Sequence, residues 1–269
     1  MRTTAILIGA LIALGPLAAM AQPPAGSKYV AMGSSFGAGP GISTVDEGTP
    51  ARCTRSKDNY AHQLARLHRL TLVDVTCSGA TTAHILGPWN ELPPQLDAVD
   101  SGTRLVTVTI GGNDVRLTGS EGAQACHSSG AANCAPLPAP PTAQEWADLE
   151  THLGQIASEV RRRAPSARLV FVDYTTVLPP EGTCPALSLT TDQAASDREI
   201  NRRVVEITAK VAKASGSGLV TASTITAAHN ACAPEPWANG YPPAKGAAFH
   251  PRLEAHTAIA AALDRALWK

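Results

Sequence analysis

The sequence predicts a single α/β domain of three layers, α/β/α, in which helices cover both faces of a parallel sheet. Two patterns point to it: short runs rich in Val, Leu and Ile with little polar alternation, and longer segments between them whose apolar residues recur at the helical period. A strand buried on both faces has no solvent side to make polar, so near-continuous apolar runs read as strands of a parallel sheet. The first run covers residues 28–33 and stops at Gly33, where Ser34-Ser35-Phe36-Gly37 turns the chain. The second covers 70–76 and leads into Cys77-Ser78-Gly79-Ala80; the third covers 104–111 and leads into Gly112-Asn113-Asp114; the fourth covers 168–174. Among the helices, Trp146, Leu149, Leu153, Ile156 and Val160 share one face, and Thr142-x-x-Glu145 supplies the capping box that starts it. Trp146 therefore belongs to the core. Ile200, Val204, Ile207 and Val211 form a second stripe, and Ile259, Leu263 and Leu267 a third, with Pro251 suited to the first helical position of that last helix. Residues 115–141 carry four prolines, several glycines and serines and no clear period, so they read as a long loop, either a wall of the functional cleft or a surface excursion.

Residues 1–21 have the parts of a secretory signal peptide: Arg2, an apolar run from Ala5 to Leu14, and Ala19-Met20-Ala21 ahead of the cut. Residues 22–269 then form the one domain. The apolar run is shorter than the roughly 20 residues that cross a bilayer, so no stable membrane anchor is expected, and the protein is placed as secreted or periplasmic. Lys and Arg number 22 and Asp and Glu number 22, which leaves no basic excess for a phosphate backbone and excludes nucleic acid as a partner. Six cysteines, Cys53, Cys77, Cys126, Cys134, Cys184 and Cys232, are an even number in an oxidising compartment and read as disulfides. None has the C-x-x-C spacing of a zinc or redox site, so neither metal nor cofactor is expected.

A serine hydroxyl becomes a useful nucleophile only beside a base and before donors that hold the oxyanion it creates. The sequence offers such a set: Ser35 after the first strand, Gly79 after the second, Asn113 after the third, and His250 in Ala247-Ala248-Phe249-His250-Pro251 ahead of the last helix. Ligands of open parallel sheets bind beyond the carboxyl ends of the strands, which is where the first three converge. Gly33-Ser34-Ser35-Phe36-Gly37 also fits the G-x-S-x-G nucleophile elbow of α/β-hydrolases. That elbow follows several strands, whereas Ser35 follows the first.

In this order the blocks resemble the SGNH hydrolases, the GDSL esterase/lipase family, over nearly the whole chain after the leader. The likeness is greatest to the small secreted, three-disulfide esterases and lipases of actinobacterial type. The resemblance implies a flavodoxin-like sheet, a monomer and a serine esterase or lipase acting on short-chain acyl esters or lipids through an acyl-enzyme. It assigns Ser35 as nucleophile, His250 as base, and the amides of Ser35 and Gly79 with the Asn113 side chain as the oxyanion hole. Together with proximity in sequence it favours bridges 53–77, 126–134 and 184–232. Two positions depart from the family pattern: Ser34 stands where Asp usually precedes the serine, and Ala247 where Asp usually precedes the histidine by three residues. His250 is therefore expected to work without a carboxylate, its Nδ1 held by a backbone carbonyl, that of Ala247. The other histidines read as surface or structural, His256 being the one rival to His250. Trp89 and Trp237 lie in loops and either line a pocket or pack. The alternatives on the same scaffold are a carbohydrate acetyl esterase and a non-catalytic secreted binding protein.

Overall fold

The structure is a computed structural model that describes residues 22–269; the expected leader, 1–21, lies outside the described residues. Five strands, β1 (Lys28–Gly33), β2 (Thr71–Asp74), β3 (Thr103–Thr109), β4 (Arg168–Val172) and β5 (Gly218–Val220), form one sheet in the order β2-β1-β3-β4-β5. Every neighbouring pair is parallel, as the apolar runs require. The helices are α1 (Ser35–Ala38), α2 (Tyr60–His68), α3 (Thr82–Leu86), α4 (Leu117–Ser128), α5 (Ala143–Arg163), α6 (Thr191–Ser215), α7 (Ala222–Thr226) and α8 (Leu253–Trp268).

Alternation along the strands divides the core in two. Val30 and Met32 of β1 join Val106 and Val108 of β3 under α5 and α6, where Leu149, Leu153, Ile156, Val160, Val204 and Val211 pack. Tyr29 and Ala31 face the other way, onto Leu64 of α2 and Ile259, Leu263 and Leu267 of α8. The expected three-layer architecture is thus present, with all three helical stripes buried where the period places them. The capping box also forms: Thr142 Oγ1 accepts from the Glu145 amide at 3.2 Å, and Glu145 accepts from the Thr142 amide at 2.8 Å.

The structure corrects four details. The second and fourth strands are shorter than their apolar runs, and the third leaves the ladder at Thr109, before Ile110 and Gly111. β5, only three residues long, has too little sequence to show a pattern. The stretch 115–141 is not all loop, because α4 occupies its first half; the buried face of α4 includes Ser120 and Glu121, which hid its period. Pro251 is not in the first turn of α8, which is capped by Arg252. Instead it pairs with Ala238 in an isolated bridge. The amide of Asn239 donates to the His250 carbonyl at 2.9 Å and the amide of Arg252 to the Trp237 carbonyl at 2.7 Å, so this short ladder pins His250 from both sides.

The cysteines form three bridges, Cys53–Cys77, Cys126–Cys134 and Cys184–Cys232, and no described cysteine is free. β1 lies between β2 and β3, so the chain reverses its direction of travel across the sheet at β1. A crevice at the carboxyl end of the sheet is expected at such a switch point.

Candidate active site

Ser35 is the first residue of α1, delivered by β1 directly to the crevice. The turn that presents it needs Gly33, whose φ is +146° and where a Cβ would stand 2.4 Å from the Thr109 carbonyl oxygen. The buried amide side chain of Gln95 accepts from the Gly33 amide at 2.7 Å and donates to its carbonyl at 3.0 Å, which fixes the strand end.

Ser35 Oγ lies 2.7 Å from His250 Nε2, and His250 Nδ1 lies 2.6 Å from the carbonyl oxygen of Ala248. A carbonyl can only accept, so Nδ1 carries the proton and Nε2 is left to accept from the serine hydroxyl. Here the structure corrects the sequence expectation. The orienting carbonyl belongs to Ala248, because that of Ala247 is taken by the Asn239 side-chain amide at 3.0 Å. The chain bends back to offer Ala248 by placing Phe249 at φ 56°, a left-handed conformation that costs a non-glycine residue about 1–2 kcal/mol. Burial lowers the pKa of His250 below the ordinary imidazole value against the upward pull of the Ala248 carbonyl, which keeps the ring neutral at neutral pH. Among the described residues, no carboxylate hydrogen-bonds to His250.

Gly79 and Asn113 are carried to the same edge. The Cys77 amide donates to the Gly33 carbonyl at 3.0 Å, tying the turn after β2 to the end of β1, and the Cys53–Cys77 bridge fastens that turn from outside. Gly79 has φ +85°, and a Cβ there would meet the Trp89 ring at 3.2 Å. Trp89 does both things expected of it: it packs against the turn, stacked on His84 with the Arg52 guanidinium over its face, and it lines a cavity of about 350 Å³ beside Leu92 and Pro93. Asn113 Nδ2 donates to the Ala80 carbonyl at 2.8 Å, so one amide hydrogen fixes the side chain and the second remains to donate.

Three supporting residues were not visible from sequence. Tyr174, just past β4, accepts from the Gly112 amide at 2.7 Å and shares a 3.3 Å hydrogen bond with Ser34 Oγ. Burial pushes its phenol up to about 12, so it stays protonated. Asp114 accepts from the Thr82 amide at 3.1 Å and from the Thr82 hydroxyl, capping α3, and that hydroxyl lies 2.9 Å from His152 Nδ1. Asp114 stands next to Asn113 in the motif, but its partner is distant in sequence, so no local signal marks it. Phe36 packs between Tyr174 and His250, with ring centres 4.5 and 5.0 Å away.

His256, the rival base, is fully buried and accepts from the Tyr60 amide at 3.2 Å, a structural role. Trp237 stacks on His229. Among the described residues no group of three His, Cys, Asp or Glu side chains is formed that could hold a metal, and no helix is long and apolar enough to cross a membrane.

Comparison with known proteins decides the family. Residues 31–258 match the GDSL-like lipase/acylhydrolase family. The chain belongs to that family of ester hydrolases. It is 30% identical to a lipase of Streptomyces rimosus, over 91% of this chain and 89% of that one. It is 34% identical to lipase 2 of Streptomyces coelicolor, over 80% and 76%. Among solved structures, the extracellular lipase of Streptomyces rimosus superposes with a TM-score of 0.72 and 26% identity, covering 89% of this chain and 99% of the other. An acetylxylan esterase of Geobacillus stearothermophilus, at 16% identity and a TM-score of 0.57 over 92% and 97%, shares the fold.

Proposed function

We propose that this family member is an exported lipase or esterase whose acyl-enzyme forms on Ser35. Ser35 Oγ attacks the ester carbonyl while His250 Nε2 takes its proton, and the amides of Ser35 and Gly79 with the remaining Asn113 hydrogen hold the oxyanion. Each such donor is worth about 10²–10³ in rate. His250 then returns the proton to the leaving alcohol, and water releases the acid by the same route. The observation that carries this reading is the 2.7 Å contact of Ser35 with a histidine whose other nitrogen is already committed to a carbonyl. Acyl esters, from short chains to lipids, are the proposed substrates, a reading supported by the two Streptomyces lipases. Export is supported by the leader pattern and by three disulfides.

The test is hydrolysis of p-nitrophenyl esters over a range of acyl lengths, with acetylated xylan beside them. Ser35→Ala abolishes turnover and fluorophosphonate labelling, while Ser34→Ala keeps both. Labelling that persists in Ser35→Ala, or equal loss in the two variants, refutes the assignment. Activity on acetylated xylan alone would move the substrate class to carbohydrate acetyl esters.

A further inference from the structure

The loop that leads into His250 closes around one buried side chain, that of Asn239. It makes three hydrogen bonds: Nδ2 donates to the carbonyls of Lys245 at 2.9 Å and Ala247 at 3.0 Å, and Oδ1 accepts from Arg252 Nε at 2.9 Å. The partners fix which end of the amide is which. A guanidinium only donates, so the atom facing Arg252 is the oxygen, and the nitrogen is left facing two carbonyls that only accept. Arg252 is held in turn, its Nη1 donating to the Pro236 carbonyl at 3.2 Å and its amide to that of Trp237 at 2.7 Å. The fit around the amide is close. At Gly246, whose φ is +78°, a Cβ would stand 3.1 Å from the Pro40 carbonyl oxygen and 3.3 Å from Asn239 Nδ2.

These bonds bracket the group that orients the base. In a Ser-His-Asp arrangement a carboxylate side chain holds the imidazole directly. Here the ring is held by the Ala248 carbonyl at 2.6 Å, so its orientation is only as good as the placement of that peptide. The peptide lies beside Phe249, whose left-handed φ of 56° is a conformation that persists only where the surroundings over-determine it. Asn239 supplies fixings on both sides of that residue. Its side chain holds the Ala247 carbonyl before it, and its backbone amide donates to the His250 carbonyl after it at 2.9 Å. Without the side-chain bond, residues 247–249 lose their upstream anchor and the Ala247 carbonyl is set free beside the one that Nδ1 uses.

We propose that Asn239 is the positioning residue of the catalytic base, and that Arg252 sets the direction of its amide. This rests on the assignment of Ser35 and His250 and extends it. None of the Asn239 hydrogen bonds reaches Ser35 or the His250 ring, so it acts through the backbone of residues 247–250. The role requires an amide. Aspartate has the same shape and would still accept from Arg252, but it has no hydrogens to donate and would set a carboxylate oxygen against the carbonyls of Lys245 and Ala247. The sequence does not mark the residue, because Asn239-Gly240 carries the signature of an ordinary turn.

The test compares wild type, Asn239→Ala, Asn239→Asp and Arg252→Met, each assayed well below its own thermal midpoint. Two readouts are taken: p-nitrophenyl ester kinetics, and the downfield proton resonance of the His250 ring N–H, identified by its loss in His250→Ala. His250 serves both acylation and deacylation, so both Asn239 variants lose kcat, by about 10²-fold for a misplaced group, while KM stays within about twofold. Their ring N–H resonance broadens or shifts. Arg252→Met changes both readouts in the same direction by a smaller factor. Wild-type kcat and an unmoved ring resonance in folded Asn239→Ala overturn the proposal, and wild-type kcat in Asn239→Asp overturns the need for an amide. Should the Asn239 variants not fold, Arg252→Met decides alone, an unmoved resonance with unchanged kcat overturning the proposal. Absence of esterase activity in the wild type would instead overturn the ester-hydrolase reading, and the ring resonance tests Asn239 in either case.

Discussion

His250 is oriented by a backbone group that no single side-chain substitution can delete. In a Ser-His-Asp arrangement the carboxylate fixes the tautomer and stabilises the imidazolium, and its loss costs about 10⁴ in turnover. The Ala248 carbonyl fixes the tautomer equally well at 2.6 Å but brings no full charge. The nearest downstream carboxylate, Glu254, is exposed on the first turn of α8. Glu254→Gln is accordingly expected to retain near wild-type turnover, while His250→Ala is as inactive as Ser35→Ala; a Glu254→Gln enzyme as dead as the serine variant would refute the dyad. The same burial has a pH consequence. The base acts when neutral and is lost on protonation, and burial lowers its pKa, so the acid limb of kcat/KM falls below the ordinary histidine value of about 6.5. A limb centred above neutrality would show that a buried anion holds the ring. The two blocks around Ser35 and Asn113 were legible because their chemistry is local, a polar residue after glycine at a strand end. The choice of Ala248 over Ala247 was not, since it depends on Asn239 reaching across to Ala247 and on the left-handed Phe249.

At the scale of elements, the disulfides close loops of very different size. Sequence separations of 48, 24 and 8 residues correspond, in the chain-entropy account, to about 4, 3.5 and 2.5 kcal/mol. Paired Cys→Ala variants should therefore lose thermal midpoint in the order 184–232, then 53–77, then 126–134. Only the 53–77 pair should also lose turnover beyond its loss of stability, because Gly79 sits two residues past Cys77 in the turn that the bridge fastens. A 126–134 variant that falls furthest would contradict this ranking. Element legibility follows burial. β1, β3 and β4 are buried on both faces and together rich in Val and Leu, and so announce themselves, and α5, α6 and α8 each bury an apolar stripe. α4 does not, because its buried face sets Ser120 and Glu121 beside Leu117, Ala123 and Ala125, which breaks the apolar stripe.

The whole molecule buries titratable groups that pull its stability in opposite directions as pH changes. His256 is pushed down to about 3, chiefly by burial, while in the unfolded chain it takes a proton near 6.5. Between those values the unfolded state binds a proton that the folded state refuses, so this histidine removes stability as pH falls. Asp173, buried at the end of β4 and accepting from the Ser223 amide and hydroxyl at 2.8 Å each, is pushed up to about 6 by burial. From about 4 to about 6 the folded state holds a proton on Asp173 that the unfolded state has released, so this group removes stability as pH rises. Over that window the two nearly cancel. Replacing Asp173 with Asn keeps an acceptor for Ser223 and deletes one side of the balance. The stability of Asp173→Asn should then rise with pH between 4 and 6 more steeply than that of the wild type, by up to about 1.4 kcal/mol per pH unit, the value of one proton. Near neutral pH, where the wild type carries a buried ionised Asp173, the variant should be at least as stable. Denaturant titrations of both proteins across this range measure the difference. Parallel pH profiles would mean that Asp173 titrates alike in the folded and unfolded chains.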